Sequence, residues 1–423
     1  MNKKLLRKKL ALMLATLKKK RKFFCEVEYL ATTNQQDNSS STTSAAWIDT
    51  GIIPDDTTKI ECRMAFTTLI SGNSQEALCG TTSGTNGRFA WGFANVAPLT
   101  RFYFGLGGEN LTSTVTRNTN VHTFKLDAIN KTWGIDSNTG SFTSSGSLSS
   151  TASIFLFGRH SAYYVDKVNR PANAKVYYCK IWKGGSLVRD FIPVLDWNYV
   201  PCMYDRVTEQ LFYNAGTGTF SYGMEIHQVD YIEGTGTQYI NTGIYGTQNT
   251  RFEVDLDIQS GAYQRVGGSF NDTSKALTLP WNNINDTSDQ VFVRFGNFVT
   301  TSGNTPRTTI GRKTISVDKT GYYVNETKLL DINYTGSFTT TGTLWLFSSN
   351  PSTGMMVGKI YGSKIYDNGT LVRDFIPAID ENDTFFMFDK ITHTTYNNSG
   401  YGSFIGPTVE KDENGKIVEP EYE

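Results

Sequence analysis

The sequence predicts an all-β protein of two tandem β-sandwich domains. Short runs of alternating apolar and polar residues recur along the chain, separated by turn-forming residues, which is the pattern of half-buried strands. Aromatic residues make up 13% of the 423 residues, with 39 Gly and only 11 Pro, a composition typical of short strands joined by tight turns. One heptapeptide, Leu-Val-Arg-Asp-Phe-Ile-Pro, occurs twice, so the sandwich is predicted to be duplicated.

The repeated block is centred on residues 187–193 and 371–377, an offset of 184 positions. Its matching residues are Arg189, Asp190, Pro193, Asp205 and Asn214 in the first copy and Arg373, Asp374, Pro377, Asp389 and Asn398 in the second. We interpret the block as structural. Each Arg lies beside an Asp and can form a charge-assisted pair that fixes the strand end. Each Pro is expected to end strand pairing, and Asp and Asn side chains suit the turns that follow.

The repeat divides the chain into four predicted segments. These are a basic amphipathic helix (1–24), a first jelly-roll domain (25–223), a second jelly-roll domain (228–407) and an acidic C-terminal tail (408–423). Residues 224–228 are a short linker. Asn414-Gly415 could close a small hairpin in the tail, although disorder is the simpler expectation there.

The N-terminal segment is a predicted helix with a stripe of apolar residues, Leu6, Leu10, Met13 and Leu17. It is too short to span a bilayer and has no convincing signal-peptide cleavage site. Attachment to an anionic surface, oligomerisation and a poorly ordered tail remain as alternatives. Residues 1–22 hold ten Lys or Arg and no acid, so the rest of the chain has a net charge of about −10. An anionic body argues against nucleic-acid binding by the repeats.

Alternating runs place individual strands and turns. Strands are predicted at residues 60–64, 153–157, 252–256 and 343–347, and Trp345 is expected in the core because its strand is apolar. Gly184-Gly185 and Asn368-Gly369 are expected to form hairpin turns. The five cysteines have no CxxC or Cys/His spacing, which argues against a zinc site and favours buried free thiols.

The second copy opens with Tyr231-Ile232-Glu233-Gly234-Thr235-Gly236-Thr237-Gln238-Tyr239-Ile240-Asn241-Thr242-Gly243. It continues through residues 364–377 and closes with Tyr396-Asn397-Asn398-Ser399-Gly400. This pattern resembles the concanavalin A-like lectin/glucanase superfamily, in the laminin-G-like form common in gut bacterial surface proteins and their phages. The resemblance implies a jelly roll of two curved antiparallel sheets in each copy. Members include glycan binders, glycoside hydrolases and adhesion domains, so it specifies the fold more closely than the function.

Catalysis has little support in the sequence. Glu253, Asp255 and Asp257 lie on one face of a predicted strand and resemble the Glu-x-Asp-x-x-Glu strand of some glucanases. Ile258 stands where the last carboxylate is expected, and the first copy has no matching acidic pattern. None of the four histidines lies in a shared motif, so no Ser/His triad or metal cluster is indicated. We therefore expect a solvated strand face and no enzyme, with a glucanase-type glycoside hydrolase as the alternative.

Glycan binding is the favoured function. Sugar sites combine aromatic faces with polar groups that orient the hydroxyls. The candidate ligand-binding residues are Trp91, Tyr103, Trp133, Tyr163, Tyr164, Trp281, Tyr322 and Tyr323. Variable ligand contacts are expected in segments that the copies do not share, namely 32–44, 81–93, 159–173 and 271–289. No cofactor is expected; the Asp and Asn content would permit calcium, but no EF-hand-like spacing supports it.

These features together lead to an expected role and location. The missing signal peptide and the missing disulfides favour a phage tail or head fibre component that recognises a cell-surface glycan, located in the virion. The N-terminal helix is expected to join a larger viral or envelope assembly or to form a homo-oligomer. A bacterial cell-surface adhesin and a purely structural decoration protein are the alternatives. Two copies of a weak glycan site gain from avidity.

Overall fold

A computed structural model describes residues 24–33, 45–69, 75–94, 101–143, 146–162, 168–258, 264–282, 291–302, 311–349 and 354–418. Regular structure in these residues consists of β-strands, which confirms the predicted all-β class. The predicted N-terminal helix and most of the 32–44 loop lie outside the described residues. Across the described ranges, no helix has the length and apolar character needed to cross a membrane.

The chain divides into two compact units, the first ending at Glu225 and the second beginning at Ile226. The larger sheet of the first unit contains β1 (Phe24–Val27), β2 (Leu30–Ala31), β4 (Thr58–Phe66), β9 (His122–Asp127), β10 (Thr132–Ile135), β11 (Asn138–Ser141), β15 (Ala174–Lys183), β16 (Ser186–Asp196), β17 (Pro201–Asp205), β18 (Gln210–Phe212) and β19 (Ser221–Tyr222). The smaller sheet contains β3 (Ile48–Asp49), β5 (Gln75–Thr82), β6 (Arg88–Ala94), β7 (Arg101–Gly107), β8 (Glu109–Thr116), β12 (Phe155–Leu156), β13 (Arg159–Ser161) and β14 (Val168–Asn169).

The larger sheet runs in the order β11-β10-β9-β4-β15-β16-β17-β18. The smaller sheet runs β3-β12-β5-β6-β7-β8, and β13 lies parallel to β5 while pairing with β14. Buried side chains from both sheets form one hydrophobic core, so the unit is a β-sandwich.

The second unit is built in the same way. Its larger sheet contains β20 (Glu225–Gln228), β21 (Ile232–Thr235), β23 (Thr250–Ile258), β29 (Lys313–Asp318), β30 (Gly321–Val324), β31 (Thr327–Asp331), β33 (Val357–Asp367), β34 (Thr370–Ile379), β35 (Phe385–Asp389) and β36 (Thr394–Tyr396). Its smaller sheet contains β22 (Ile240–Thr247), β24 (Gln264–Arg265), β25 (Gly267–Ser269), β26 (Ala276–Asn282), β27 (Val291–Gly296), β28 (Phe298–Ser302) and β32 (Thr339–Leu346).

The larger sheet of the second unit runs β31-β30-β29-β23-β33-β34-β35-β36. The smaller sheet runs β22-β32-β25-β26-β27-β28, with β24 beside β26. A second hydrophobic core lies between these sheets. In β23, Phe252, Val254, Leu256 and Ile258 are buried while the charged residues between them are half-buried on the outer face. The period-2 prediction for this strand is therefore confirmed.

The two hairpin turns predicted at Gly184-Gly185 and Asn368-Gly369 are confirmed. The first joins β15 to β16, and the second joins β33 to β34. All four residues have positive φ, from 48° to 81°, which is the backbone of a two-residue hairpin turn that matches strand twist.

Pro193 and Pro377 do not end strand pairing, contrary to the sequence prediction. β16 continues to Asp196 and β34 to Ile379. On one side, β34 pairs with β33 as far as Phe375 and with β20 from Ala378. Pro377 lies where the neighbouring strand changes, so its missing N–H costs no ladder hydrogen bond, and its carbonyl still accepts the Val229 N–H at 3.1 Å. Pro193 lies at the matching change from β15 to β1.

The predicted linker and the acidic C-terminal tail both contain regular backbone pairing. Most of the predicted 224–228 linker is strand β20, which pairs with β34. In the acidic tail, Lys411 and Ile417 form a bridge, and Asp412 accepts the N–H groups of Asn414 and Lys416. Ile417 is 8% exposed and packs in a small apolar cluster. The described part of the tail, residues 408–418, thus contains the small hairpin, and the simpler expectation of disorder is wrong there.

All five cysteines are free, and Cys62, Cys79, Cys179 and Cys202 are buried. Burial raises the pKa of Cys62 and Cys179, and it raises the pKa of Cys202 to about 12. Since the thiolate is the reactive form, we expect Ellman's reagent to modify at most Cys25 in the native protein at pH 8 and all five thiols in urea. Rapid modification of two or more thiols without urea would contradict this burial.

Candidate functional site

The repeated block forms a buried hydrogen-bonded corner in the first unit. Asp205 is fully buried at the end of β17. Its carboxylate accepts the N–H groups of Asp190 at 2.8 Å and Val207 at 3.1 Å and the Thr208 hydroxyl at 2.6 Å. The Arg189 guanidinium lies 3.6 Å away. One carboxylate therefore joins strand β16 to the turn after β17.

The second unit makes the same contacts 184 residues later. Asp389 is fully buried and accepts the N–H groups of Asp374 at 2.9 Å and Ile391 at 3.1 Å and the Thr392 hydroxyl at 2.5 Å. The Nε of Arg373 lies 3.5 Å from its carboxylate. The Asp389 carboxylate is therefore occupied by internal contacts, and we assign Asp389 and Arg373 a structural role.

The arginines of the block pair with a different acid from the one expected. Arg189 approaches Asp205 and not its sequence neighbour Asp190, which instead binds Arg206 at 2.9 Å. Adjacent residues of a strand point to opposite faces, so neighbours in the sequence cannot pair across one face. Arg189 also donates to the Thr50 carbonyl at 3.1 Å, and Arg373 approaches the Thr242 carbonyl at 3.4 Å.

Asn214 and Asn398 complete the corner by bonding the backbone. Asn214 accepts the N–H groups of Trp47 at 3.1 Å and Gly216 at 2.9 Å and donates to the Gly218 carbonyl at 2.6 Å. Asn398 makes the corresponding bonds to Tyr239, Gly400 and Gly402. The sequence predicted that these asparagine side chains form hydrogen bonds with the backbone of the turns, and the structure confirms these bonds.

Three predicted ligand-binding aromatics are core residues, so this part of the prediction is wrong. Trp91 and Tyr322 have no exposed surface and Trp133 is 7% exposed. Trp91 stacks on Phe124 and Trp133 on Phe104. Each of the three side chains points between the two sheets. Side chains alternate between the two faces of a strand, and these three lie at inward-facing positions.

The other predicted aromatics divide into two groups. Tyr103 and Tyr323 are half-buried on outer sheet faces. Tyr163 and Tyr164 lie outside the described residues, as does the side chain of Trp281 in β26. Tyr103 and Tyr323 stay candidate ligand-binding residues.

Trp345 is half-buried and not in the core, contrary to the prediction from its apolar strand. Leu344 and Leu346 are the buried residues of β32, so Trp345 between them points outward. Its ring stacks on Tyr239 with centroids 4.2 Å apart and planes 15° apart. Its indole N–H donates to the Thr343 hydroxyl at 3.1 Å.

A cleft of about 560 Å³ opens in the second unit at one end of the larger sheet. It lies where β23 begins and the turns after β22, β29, β30 and β33 come together. Its lining residues are Gln248, Asn249, Thr250, Arg251, Glu253, Asp318, Lys319, Thr320, Glu326, Lys364, Tyr366, Asn368 and Gly369. We call these residues the polar cleft. The volume is within the range of roughly 300–1,000 Å³ that small-ligand sites occupy.

Arg251 organises the acidic side of the polar cleft. One of its guanidinium nitrogens lies 3.0 Å from the Glu253 carboxylate, and another lies 3.9 Å from Asp318. Asp318 also accepts the Thr320 N–H and hydroxyl at 2.7 and 2.6 Å. The two hydrogen bonds from Thr320 orient the Asp318 carboxylate, and that carboxylate in turn helps to orient Arg251.

Tyr323 lies directly behind this acidic side. Its ring centroid is 5.6 Å from the Arg251 guanidinium, and its hydroxyl shares a hydrogen bond of 2.5 Å with Thr320. Among the predicted aromatics whose side chains the structure describes, Tyr323 is thus the one placed, through Arg251 and Thr320, beside the polar cleft.

The opposite side of the cleft is formed by β33 and its turn. Lys364 is exposed, Tyr366 is half-buried, and the Asn368 N–H donates to the Asn249 carbonyl at 3.1 Å. Cation donors, carboxylate acceptors and one aromatic ring therefore face one cavity. Such a set can orient hydroxyl groups through both donors and acceptors while the ring covers an apolar face.

Sequence reasoning missed Lys364 and Tyr366 because they belong to the repeated block that it assigned to structure. Their outward position was available from the strand alternation, since Ile365 between them is buried. Sequence reasoning also missed Arg251. Its contact with Asp318 depends on the end of β29 lying beside β23, which the sequence does not show.

Comparison with known proteins adds little information about the function of the chain. No family model matches the chain, and no curated protein matches it. Among solved structures, the chain is similar to the mouse laminin alpha1 chain domains LG4-5, with 9% identity over 81% of this chain and 94% of that chain and a TM-score of 0.26. It is also similar to the LG1-3 region of the laminin alpha2 chain, with 11% identity over 82% of this chain and 62% of that chain and a TM-score of 0.26. At TM-scores this low, neither likeness carries an argument about ligand or partner.

Proposed function

We propose that this chain is a non-enzymatic carbohydrate-binding protein of the concanavalin A-like, laminin-G-like type, with two tandem jelly-roll domains. It recognises a cell-surface glycan through the polar cleft of the second unit. The observation that carries the proposal is the cleft itself, in which Glu253, Lys364 and Tyr366 offer an acceptor, a donor and a ring to one cavity. The identical strand order of the larger sheets and the matching block contacts support the tandem assignment.

A glycan array probed with the full chain tests the proposal. We expect binding to a restricted set of glycans, and we expect Lys364→Ala together with Tyr366→Ala to weaken it by about tenfold or more, since stacking and a charge-assisted hydrogen bond each contribute about 1–3 kcal/mol. Dissociation constants from calorimetry with the best array ligand give the measurement. An array with no bound glycan would overturn the proposal.

The repeat supplies a matched control for the cleft variant. Lys180 and Trp182 occupy the positions of Lys364 and Tyr366 in β15 of the first unit. Lys180→Ala with Trp182→Ala makes the same chemical change on the same strand of a similar sheet. We expect this variant to bind the glycan as the unaltered chain does, and an equal loss would contradict the assignment to the second unit.

A glycoside hydrolase is the second candidate, because three carboxylates line the cleft: Glu253, Asp318 and Glu326. Hydrolysis by a carboxylate pair requires one of them protonated as the general acid. Glu253 and Asp318 lie within ion-pair distance of Arg251, which favours a binding role. Incubation with the array ligands followed by reducing-end analysis decides: we expect intact glycan, and product formation lost in Glu253→Gln would establish the enzyme.

The proposed location is a phage particle, as a tail or head fibre component, with a bacterial cell surface as the alternative. Five free cysteines support assembly in a reducing cytoplasm over secretion through an oxidising compartment. Electron microscopy of purified particles with an antibody to the chain tests this: labelled fibres are expected, and label confined to the bacterial surface would favour the adhesin.

A further inference from the structure

The smaller sheet of the first unit brings two arginines together on its outer face. In the strand register, His160 pairs with Thr81 and Thr81 with Phe89, so Arg159 on β13 and Arg88 on β6 flank the same part of β5. Tyr103 lies on the same face of β7, two residues from Gly105. We call Arg88, Arg159 and Tyr103 the arginine patch. All three side chains are half-buried.

The surface beneath the arginine patch is made of small residues. Gly80, Ala90 and Gly105 are buried between the patch side chains. A Cβ atom at Gly105 would lie 2.3 Å from Cδ of Arg88, so only glycine at this position lets the Arg88 side chain lie flat on the sheet. The Arg88 side chain therefore lies along the sheet over Gly105 and does not extend straight into solvent.

Several donors of the patch have no acceptor. The Nε atoms of Arg88 and Arg159 and the hydroxyl of Tyr103 are buried and have no hydrogen-bond partner in the part of the chain that the structure describes. The terminal guanidinium of Arg159 donates to the Asn169 side chain at 2.7 Å. Among the described residues, no carboxylate forms an ion pair with either arginine. Burial and the charge of Arg159 lower the pKa of Arg88.

This arrangement is unfavourable by itself. Two like charges repel each other, and buried donors without acceptors lose the hydrogen bonds that water gave them. An oxyanion bound at the patch offsets the repulsion, because its oxygens accept hydrogen bonds from the guanidinium groups while its negative charge balances theirs. We propose that the arginine patch is a binding site for a carboxylate or sulfate group.

The second unit has a comparable feature that arises from other positions. Arg265 and Arg294 both lie over the Phe270 ring, with guanidinium-to-centroid distances of 5.3 and 4.5 Å. In the strand register, Arg294 on β27 is the partner of Thr278, and Gly105 on β7 is the partner of Ala90. Arg294 therefore occupies in the second unit the position that Gly105, the residue beneath Arg88, occupies in the first. Burial and the charge of Arg294 lower the pKa of Arg265. Both units thus have a pair of arginines on the outer face of the smaller sheet, although the arginines occupy different positions in the two units.

The thermal stability of the ligand-free protein distinguishes arginines that form an anion-binding site from arginines that stabilise the fold. We expect Arg88→Gln in chloride buffer to leave the melting temperature unchanged or to raise it, because the variant removes like-charge repulsion and keeps the hydrogen bond between Arg159 and Asn169. A structural Arg88 would lower the melting temperature on substitution, and that result would overturn the proposal. Arg159→Gln, which also removes the bond to Asn169, is the second variant for the binding measurements, and Arg101→Gln, an exposed residue of the same sheet, is the control.

Anion binding is then measured on the full chain at constant ionic strength. Sodium sulfate, sodium glucuronate and glucose are the probes, with sodium chloride as the reference salt. We expect sulfate or glucuronate, but not glucose, to raise the melting temperature and to bind in calorimetry. We expect Arg88→Gln and Arg159→Gln each to weaken that binding about tenfold or more and Arg101→Gln to leave it unchanged.

The two anions distinguish the source of the charge. Tighter binding of glucuronate than of sulfate identifies an acidic sugar as the ligand class, and the reverse order identifies a sulfate group. Equal effects of chloride and both anions, or binding unaffected by the two arginine variants, would overturn the proposal. The patch lies in the first unit, so these outcomes are independent of glycan binding in the polar cleft.

Discussion

Replacement of Asp389 by Ala is expected to destabilise the second unit by about 3–5 kcal/mol, since it leaves a buried cation and several donors without their acceptor. The N–H groups of Asp374 and Ile391 and the Thr392 hydroxyl would lose their only carboxylate. Arg373, whose side chain is 16% exposed, would remain without its counter-charge. Urea unfolding followed by circular dichroism measures the change in the free energy of unfolding.

Two controls bracket this prediction. Asp331→Ala removes an exposed carboxylate that pairs with Lys328 three residues earlier, and its cost is expected to stay near ~0.5 kcal/mol. Asp205→Ala makes the equivalent change in the first unit and is expected to cost as much as Asp389→Ala. If Asp389→Ala left the unfolding midpoint unchanged while abolishing glycan binding, the repeated block would be a functional site and not a structural corner.

Replacement of Trp91 by Ala is expected to cost about 3–5 kcal/mol, because it empties a large volume in the first core. Trp91 is fully buried, and its ring lies 6.1 Å from Phe124 in a stacked arrangement. Trp91→Phe is expected to cost less, since Phe keeps most of the volume and removes a buried indole N–H that has no hydrogen-bond partner. Thermal and urea unfolding provide both values.

Trp197 gives the matched control for this substitution. It is 74% exposed in the turn between β16 and β17, so Trp197→Ala should change stability by no more than ~0.5 kcal/mol. Unchanged stability of Trp91→Ala, combined with loss of glycan binding, would return Trp91 to the ligand-binding role that its sequence context first suggested.

The strands and turns were predictable from sequence because each depends on local physics. Alternation in β23 and the two hairpin turns follow from side-chain period and from residues that tolerate positive φ. The role of Pro193 was not predictable, because it depends on where β15 gives way to β1 as the neighbour of β16. That change is set by several strands distant in the sequence.

The candidate sites were predictable only in part for a related reason. Aromatic residues in these strands are compatible both with the core and with the surface. Which face such a residue occupies depends on whether it lies at an inward-facing or an outward-facing position of the alternating strand. Trp91 and Trp345 were both assigned to the wrong environment for that reason. The arginine patch gave no sequence signal, since Arg88 and Arg159 are brought together only by the pairing of β13 with β5.

Hydrogen–deuterium exchange of the full chain with and without its best array glycan tests the central claim most directly. If the polar cleft binds the glycan, protection should appear in residues 248–253, 318–326 and 364–369, which form the cleft. The repeated corner around Asp205 and Asp389 should exchange equally slowly in both states. Protection confined to the first unit, or to the repeated corner, would contradict the assignment of glycan recognition to the polar cleft.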